Sequence, residues 1–270
     1  MSNTFSYQSD NYDRETQRFV VPLYIKDNSE IYEYSSTATL VKYNEHHYII
    51  FAAHALSENI GVDNIYIFLN NGSFQKIIEP SIGHKIFDKD DIVIIDYFNA
   101  AFDGKNYFNL NLNNLSGFDK NHFAWTGFPR SQIKSKKIFN TKSIEELKDE
   151  HVHSDATGKY FTKAKYLTIL SKIISNDKCY IKGEYNRNEA NLKYKGLVRT
   201  APLPRGMSGG AMYFFSEGQK LKENLDDTFR FAGIGIEYHK DNTIIGVSRD
   251  KVIELIDIFD KENPVQLIFK

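Results

Sequence analysis

The stretch YIIFAAHALS, residues 48–57, sets one histidine at the end of the most apolar segment of the chain. It begins with large β-branched and aromatic residues, which favour a buried β-strand. Alanines on both sides of His54 leave room for a ligand to reach the imidazole where the strand ends. A buried histidine with one satisfied hydrogen bond is common in protein cores, so this stretch predicts a strand and leaves the role of His54 open.

Short runs of the same kind continue on both sides of this stretch. RFVVPLYI and ATLVKY precede it, NIYIFL and DIVIIDYF follow it, and a second series includes HFAWTGFP, CYIKGEY, GGAMYFF and FAGIGIEY. The polar, turn-rich segment at residues 108–122 separates the two series. The run YLTILSKII fits a strand or a short helix equally well. Two strand-rich halves of similar length predict an all-β protein of paired β-barrels.

Two helices interrupt the β-pattern. A polar start followed by an apolar stripe at helical spacing predicts an amphipathic C-terminal α-helix over residues 249–260. The stripe consists of Val252, Leu255, Ile256 and Phe259. In the second half, Ser143 and Glu146 stand at capping-box spacing, which predicts that a short charged helix begins there.

Composition limits the classes of partner. The 270 residues include 34 Lys and Arg against 35 Asp and Glu, so neither nucleic acid nor an anionic membrane surface is an expected partner. One cysteine, Cys179, allows no internal disulfide, as expected in a reducing compartment. No run approaches the roughly 18 apolar residues of a membrane helix, and the start lacks a secretory pattern. We therefore expect a cytoplasmic protein.

The string RGMSGGAMYF, residues 205–214, is the sharpest chemical signal. A serine hydroxyl needs a base to take its proton, and acyl transfer needs N–H donors aimed at the developing oxyanion. Glycines before and after Ser208 let the backbone turn so that successive N–H groups converge on one point. A glycine-rich hairpin turn has the same pattern, so the string alone leaves both interpretations open.

A third element is DKDDIVIIDYF, in which Asp91 precedes a strongly apolar strand. A carboxylate at a strand end can orient an imidazole and stabilise its protonated form, although acidic residues beside strands are usually turn formers. Asp90 and Asp96 are alternatives, but Asp90 faces the opposite side of an extended strand and Asp96 lies at its far end. With Asp91, the chain order His54, Asp91, Ser208 is that of the chymotrypsin-type triad.

Together these segments resemble the trypsin-like serine proteases. FAAHAL is similar to the family's histidine motif, DIVIID to its Asp strand and GMSGGAM to its nucleophile loop. AWTGFP, AGIGIEYH and GVSRDKVIELI resemble the strand that opens the second barrel, the strand that lines the cleft, and the return strand with the terminal helix. The resemblance covers residues 35–260 and is weak at 130–195.

The resemblance implies a chymotrypsin-like fold, in which two six-stranded antiparallel β-barrels are followed by a C-terminal α-helix. It also implies that Ser208 is the nucleophile, His54 the general base and acid, and Asp91 the orienting carboxylate. The backbone N–H groups of Gly206 and Ser208 then form the oxyanion hole.

The expected organisation is a polar extension at 1–18, a first barrel at 19–115 with the histidine and aspartate, and a second barrel at 116–270 with the serine. An insertion at 130–195 interrupts the second barrel. We expect its basic and polar runs, SQIKSKK and NRNEANLKYK, to form loops that dock a protein substrate or an activating protein partner.

Departures from the family are informative. Its digestive members have an acid directly before the serine, which pairs with a newly cut N-terminus, whereas this chain has Met207. Activation by N-terminal cleavage is therefore not expected, and another device must order the oxyanion hole. The disulfides of secreted relatives are also absent, so the chain resembles an intracellular bacterial branch in which the protease is gated by a partner, a ligand or assembly.

Substrate-binding residues follow from the same resemblance. The base of the pocket corresponds to Pro202, which is uncharged and implies no preference for Lys or Arg. The cleft strand contributes Gly235, Glu237, Tyr238 and His239; the glutamate and the second histidine either select charged side chains or lie exposed at the strand edge. Pairing with this strand predicts an extended peptide or protein as substrate.

We therefore expect a serine endopeptidase that acts through an acyl-enzyme and needs no cofactor. The HVH sequence at 151–153 has no nearby Cys or further His, so no metal is expected. A role in bacterial defence or stress suits a gated cytoplasmic protease. The alternatives are a catalytically silent module that binds a peptide or partner in the same cleft, and an esterase or amidase, which the triad order makes less favoured.

Overall fold

A computed structural model describes residues 11–263 except 27–30, 57–59, 101, 103, 135–136, 140–141, 156–157, 162–163, 187–190, 195–196 and 201. Parts of the expected N-terminal extension and of both basic runs therefore lie outside the described residues. The strands are β1 Val20–Lys26, β2 Ile31–Tyr43, β3 His46–Ala52, β4 Ile65–Phe68, β5 Phe74–Lys76, β6 Gly83–Phe87, β7 Ile92–Asp96, β8 Phe108–Asn109, β9 His122–Gly127, β10 Lys137–Phe139, β11 Val152–Asp155, β12 Gly158–Phe161, β13 Leu167–Asn176, β14 Tyr180–Glu184, β15 Asn191–Tyr194, β16 Leu197–Thr200, β17 Ala211–Phe215, β18 Phe229–Tyr238 and β19 Thr243–Ser248.

The α-helices are α1 Asn11–Thr16, α2 Ile144–His151 and α3 Arg249–Glu262. Short 3-10 helices lie at Gln17–Phe19, Ala53–Ala55, Val62–Asn64, Asp88–Asp90, Arg130–Gln132, Glu217–Gln219 and Leu225–Asp227. Among the described residues, no helix is both long enough and apolar enough to cross a membrane.

The first half of the chain forms an open sheet. Its strands run in the order β5-β4-β1-β2-β3-β7-β6, and β8 and β10 also pair with β2. Among the described residues this sheet does not close, so the structure shows a half-barrel where a closed first barrel was predicted. The edge strand β6 packs against helix α3 instead of pairing with β5, and a Cβ on Gly83 would lie 3.3 Å from the ring of Phe259. In addition, β8 pairs parallel to β2, so this sheet is not wholly antiparallel.

The second half forms a closed barrel of six antiparallel strands, as predicted, in the order β13-β14-β19-β18-β17-β9. YLTILSKII is a strand rather than a helix, because β13 pairs with β9 on one side and with β14 on the other. Within the expected insertion, β13 and β14 are barrel strands, whereas β10 joins the first sheet. The hairpins β11-β12 and β15-β16 are separate two-stranded sheets.

Both helix predictions are confirmed. The Ser143 side chain accepts from the N–H of Glu146 and the Glu146 carboxylate accepts from the N–H of Ser143, which completes the capping box before α2. Ser248 caps α3 by accepting from the N–H of Lys251. The apolar stripe of α3 is buried throughout.

Aromatic side chains join the two halves. The ring of Phe108 stacks on Phe19, with centroids 4.1 Å apart, and also lies 5.8 Å from the ring of Tyr213 in the second barrel. These residues belong to one buried cluster that includes side chains from both halves. The interface is therefore continuous core, which fixes the relative positions of the loops at its edge.

Candidate active site

The pairing of β3 with β7 brings His54 and Asp91 together. The two strands are antiparallel neighbours, with Ala52 opposite Ile92. His54 lies in the 3-10 turn just after β3 ends, and Asp91 is the residue just before β7 begins. Both residues therefore emerge at the same edge of the first sheet.

Asp91 binds His54 at two points and the adjacent Ala53 at a third. Its Oδ2 lies 2.6 Å from Nδ1 of His54, its Oδ1 accepts from the His54 backbone N–H at 2.8 Å, and its carbonyl accepts from the N–H of Ala53 at 3.0 Å. Asp91 itself adopts the left-handed conformation, with φ 54° and ψ 40°, which aspartate tolerates better than most residues. Because a carboxylate only accepts, the proton of a neutral imidazole lies on Nδ1, and Nε2 keeps its lone pair.

The same contact sets the titration of His54. The hydrogen bond with Asp91 raises the pKa of the imidazole above its ordinary value, partial burial opposes this shift, and the charges of Asp91 and Glu237 add to it. Half of the His54 side chain remains exposed, so an incoming ligand can reach the ring.

The other two acidic candidates have different partners. Asp90 lies 3.5 Å from Nζ of Lys251 on α3, and Asp96 lies 2.7 Å from Nδ1 of His46 at the far end of β7. Of the three aspartates considered from the sequence, Asp91 is thus the one in contact with His54.

The loop that carries Ser208 packs directly on the strand that leads to His54. A Cβ on Gly209 would lie 2.1 Å from the carbonyl oxygen of Thr37 and 3.1 Å from the backbone of Phe51 and Ala52. Gly209 also has φ +84°, so both the close approach and the conformation require glycine there. The interface therefore places Ser208 beside the end of β3.

The Ser208 hydroxyl does not bond to His54. Its Oγ donates to the carbonyl of Ile236 in β18 at 3.0 Å, and Nε2 of His54 has no partner among the described residues. A register shift between Gly235 and Glu237 marks a bulge at Ile236. Rotation about the Ser208 side chain is needed before the hydroxyl can donate to the imidazole.

Two N–H groups in this loop are available. Three other N–H groups of the loop are already engaged. The N–H groups of Met207, Gly209 and Gly210 donate to the carbonyls of Pro204, Gly235 and Met207, respectively. In the part of the chain that the structure describes, the N–H groups of Gly206 and Ser208 have no acceptor. These are the two donors that the resemblance to trypsin-like proteases implies for the oxyanion hole.

The expected pocket base is lined by aromatic side chains. The Tyr185 hydroxyl donates to the Pro202 carbonyl at 3.1 Å, and the ring of Tyr185 lies 5.8 Å from that of Tyr238. Glu237 and His239 are exposed and pair with each other at 2.5 Å.

Gly235 is hydrogen-bonded to the loop that carries Ser208. Its N–H donates to Gly210 and its carbonyl accepts from Gly209, so both backbone groups are engaged within the protein. A Cβ at Gly235 would lie 2.3 Å from the indole of Trp125.

A cleft of about 270 Å³ opens beside Asp91, and neither His54 nor Ser208 is among the described residues that line it. Asp91 contributes from the first sheet, Tyr180 and Lys182 from β14, and Ile236 and Glu237 from β18. The sequence analysis did not place Tyr180 or Lys182 near Asp91, because β14 reaches this cleft only through closure of the barrel.

No group of three or more His, Cys, Asp or Glu side chains within the described residues could hold a metal ion. Neither the family models nor the curated proteins with which the sequence was compared match this chain. The functional assignment therefore depends on the chemistry of the site.

Proposed function

We propose that this protein is a serine endopeptidase of the trypsin-like type, with Ser208 as nucleophile, His54 as general base and acid, and Asp91 as the orienting carboxylate. One observation carries the proposal. Within the described part of the chain, a His–Asp pair whose Nε2 has no partner lies beside a serine loop in which two N–H groups have no acceptor. Base, nucleophile and oxyanion donors are the three parts that acyl transfer requires.

The reaction follows from these positions. Oγ of Ser208 attacks the peptide carbonyl carbon while its proton passes to Nε2 of His54, and the carbonyl oxygen becomes an oxyanion facing the N–H groups of Gly206 and Ser208. Collapse breaks the C–N bond, and His54 returns the proton to the leaving amine. Water then attacks the acyl-enzyme through the same steps and regenerates the serine hydroxyl.

An extended peptide is the substrate that strand β18 supports best. β17 pairs with β18 only as far as Ile234, and β19 covers the opposite edge through Tyr238. Among the described residues, the β17-side edge of residues 236–238 has no strand partner, so a peptide can add there as a further strand. A peptide N–H donated to the Ile236 carbonyl would replace the Ser208 hydroxyl and release it toward His54.

A second candidate function is a catalytically silent module that binds a peptide in the same cleft. The specific observation in its favour is the Ser208 hydroxyl, which donates to Ile236 rather than to His54. In such a module the free strand edge would still bind peptide, and the hydroxyl would keep its present partner.

A fluorophosphonate probe separates the two candidates. The purified protein is treated with the probe and the adduct is located by mass spectrometry, with Ser208→Ala and His54→Ala in parallel. We expect an adduct on Ser208 that both substitutions abolish. No adduct, even with an extended peptidyl phosphonate that can pair with β18, would reject the enzyme and leave the binding module.

A further inference from the structure

The orientation of the oxyanion donors must be fixed before substrate arrives. In a planar trans peptide the N–H and the preceding C=O point in opposite directions. An N–H therefore stays directed into the hole only if the carbonyl of the same peptide is held on the other side. For the Ser208 N–H that carbonyl is Met207's, which accepts from the Gly210 N–H within the loop, and for the Gly206 N–H it is Arg205's. The neighbouring peptides must also be held, because their rotation would turn these two, and the partners of the neighbouring carbonyls identify what holds the loop.

The partners of these neighbouring carbonyls come from strand β2 of the first sheet. The Gly206 carbonyl accepts from the Thr37 hydroxyl at 3.0 Å and lies 2.7 Å from the Tyr34 hydroxyl, whose single proton is shared with the Phe128 carbonyl. The Ser208 carbonyl accepts from the N–H of Thr37 at 3.1 Å. Next along the loop, the Gly209 carbonyl accepts from another β2 hydroxyl, that of Thr39, at 2.7 Å.

The peptide that carries the Gly206 N–H is held indirectly by the same strand. Its carbonyl, that of Arg205, accepts from the Arg130 N–H at 2.7 Å. The guanidinium of Arg130 in turn donates to Glu33 of β2 at 2.6 Å. This arrangement keeps the Arg205 carbonyl out of the hole and the Gly206 N–H directed away from Arg130.

The two hydroxyl groups that bind the Gly206 carbonyl are buried and remain protonated. Tyr34 and Thr37 are 1% and 0% exposed. Burial raises the pKa of Tyr34, so the hydroxyl remains a donor at any physiological pH. Gly206 has φ +94°. Glycine adopts negative φ values equally readily, so the hydrogen bonds to its carbonyl are what stabilise this conformation.

We infer that β2 is the device that holds the oxyanion loop in its donating conformation, with Tyr34 and Thr37 as the positioning residues. The inference rests on the proposed function and explains how the hole is ordered without an acid before the serine. Met207, which occupies that position, is fully buried in the second barrel and anchors the loop from the other side.

The test compares Tyr34→Phe, Thr37→Val and the double variant with two controls. Thr37→Ser keeps the hydroxyl. Tyr97→Phe removes another buried tyrosine hydroxyl, which donates to the Ile77 carbonyl away from the loop. For each protein, the thermal unfolding midpoint, the fluorophosphonate labelling rate and the kcat and KM for a peptide substrate are measured.

We expect the double variant to lose about 10²–10³-fold in labelling rate and kcat, the loss caused by removing one oxyanion donor, with KM little changed. Thr37→Ser should keep most of the rate. Tyr97→Phe should lower the unfolding midpoint without lowering kcat. A double variant that reacts at the wild-type rate, or a Tyr97→Phe loss of equal size, would overturn the inference.

Failure of the proposed function gives a different result, because the wild type itself would then not be labelled. In that case amide hydrogen exchange decides. The N–H groups of Met207 and Gly209 should exchange faster in the double variant than in wild type or Tyr97→Phe, because the loop has lost the side-chain hydrogen bonds to the Gly206 carbonyl. Unchanged exchange would reject the role of β2 whether or not the protein is an enzyme.

Discussion

Replacing Asp91 with asparagine changes one atom and should invert the tautomer of His54. At present one carboxylate oxygen accepts from the His54 backbone N–H and the other faces Nδ1. In Asp91→Asn the single amide oxygen remains on the backbone donor, so the amide NH₂ faces Nδ1. Two donors cannot face each other, and the imidazole proton moves to Nε2, where it blocks proton transfer from Ser208.

The expected loss is large. A triad with the wrong histidine tautomer retains its geometry but loses about 10⁴-fold in kcat, which corresponds to roughly 5 kcal/mol of transition-state stabilisation. The assay is the rate of peptide hydrolysis or fluorophosphonate labelling between pH 5 and 9. Asp90→Asn is the matched control, because Asp90 is the adjacent residue of the same type and faces Lys251 rather than His54.

The pH profile gives a second readout. His54 acts as a base only when neutral, and the bond to Asp91 raises its pKa. The wild-type rate should therefore fall with decreasing pH, with a midpoint above the ordinary histidine value of about 6.5. In Asp91→Asn that midpoint should move to lower pH. An unchanged rate and midpoint, or an equal loss in Asp90→Asn, would refute the assignment of Asp91.

Three further substitutions test the fold and the cleft. Gly209→Ala should lower the free energy of unfolding by more than the roughly 1–2 kcal/mol that a left-handed backbone costs alanine, because its Cβ would lie 2.1 Å from the Thr37 carbonyl oxygen. Gly218→Ala is the control, since Gly218 also has a positive φ but has open space around it. That control should lower the free energy of unfolding only by the backbone cost. Tyr238→Ala should raise kcat/KM about 10-fold for a peptide with a large side chain before the scissile bond, relative to a peptide with alanine at that position. An equal change in kcat/KM for both peptides would contradict the placement of Tyr238 in the substrate pocket. Phe259→Ala should cost about 3–5 kcal/mol in urea unfolding, since its ring is buried between α3 and the first sheet; a loss below 1 kcal/mol would show that the helix does not hold that edge.

Local patterns in the sequence predict the local structure well. The apolar spacing of α3 and the capping box of α2 each specify a helix from residues close together in the chain. The apolar runs before His54 and after Asp91 likewise specify two strands, and their polar residues fall at strand ends as expected. YLTILSKII carries both periodicities, and strand partners on its two sides decide its structure.

Features that depend on distant residues were not predictable. Tyr34 and Thr37 are separated from Gly206 by 172 and 169 positions, and nothing in their neighbourhood indicates that they hold the nucleophile loop. The threonines at 37 and 39 of strand β2, each next to an apolar residue, were the available signal, because a buried hydroxyl needs a partner. The sequence likewise did not indicate that the Ser208 hydroxyl rests on Ile236.

The two halves of the molecule contribute different parts of the site, and their interface is therefore part of the chemistry. In the proposed mechanism the first sheet would supply the base, the orienting acid and the hydrogen bonds to the loop carbonyls. The barrel would supply the nucleophile and the edge of β18, which has no strand partner at residues 236–238 among the described residues. Only the serine hydroxyl is out of place, and its present acceptor is the Ile236 carbonyl at that edge. A peptide that pairs with β18 would compete for this acceptor, so substrate binding and release of the nucleophile would occur in the same step. On this reasoning, a peptidyl phosphonate should label Ser208 faster than its analogue with an N-methylated amide at the residue before the reactive centre, because only the first can displace the hydroxyl from Ile236.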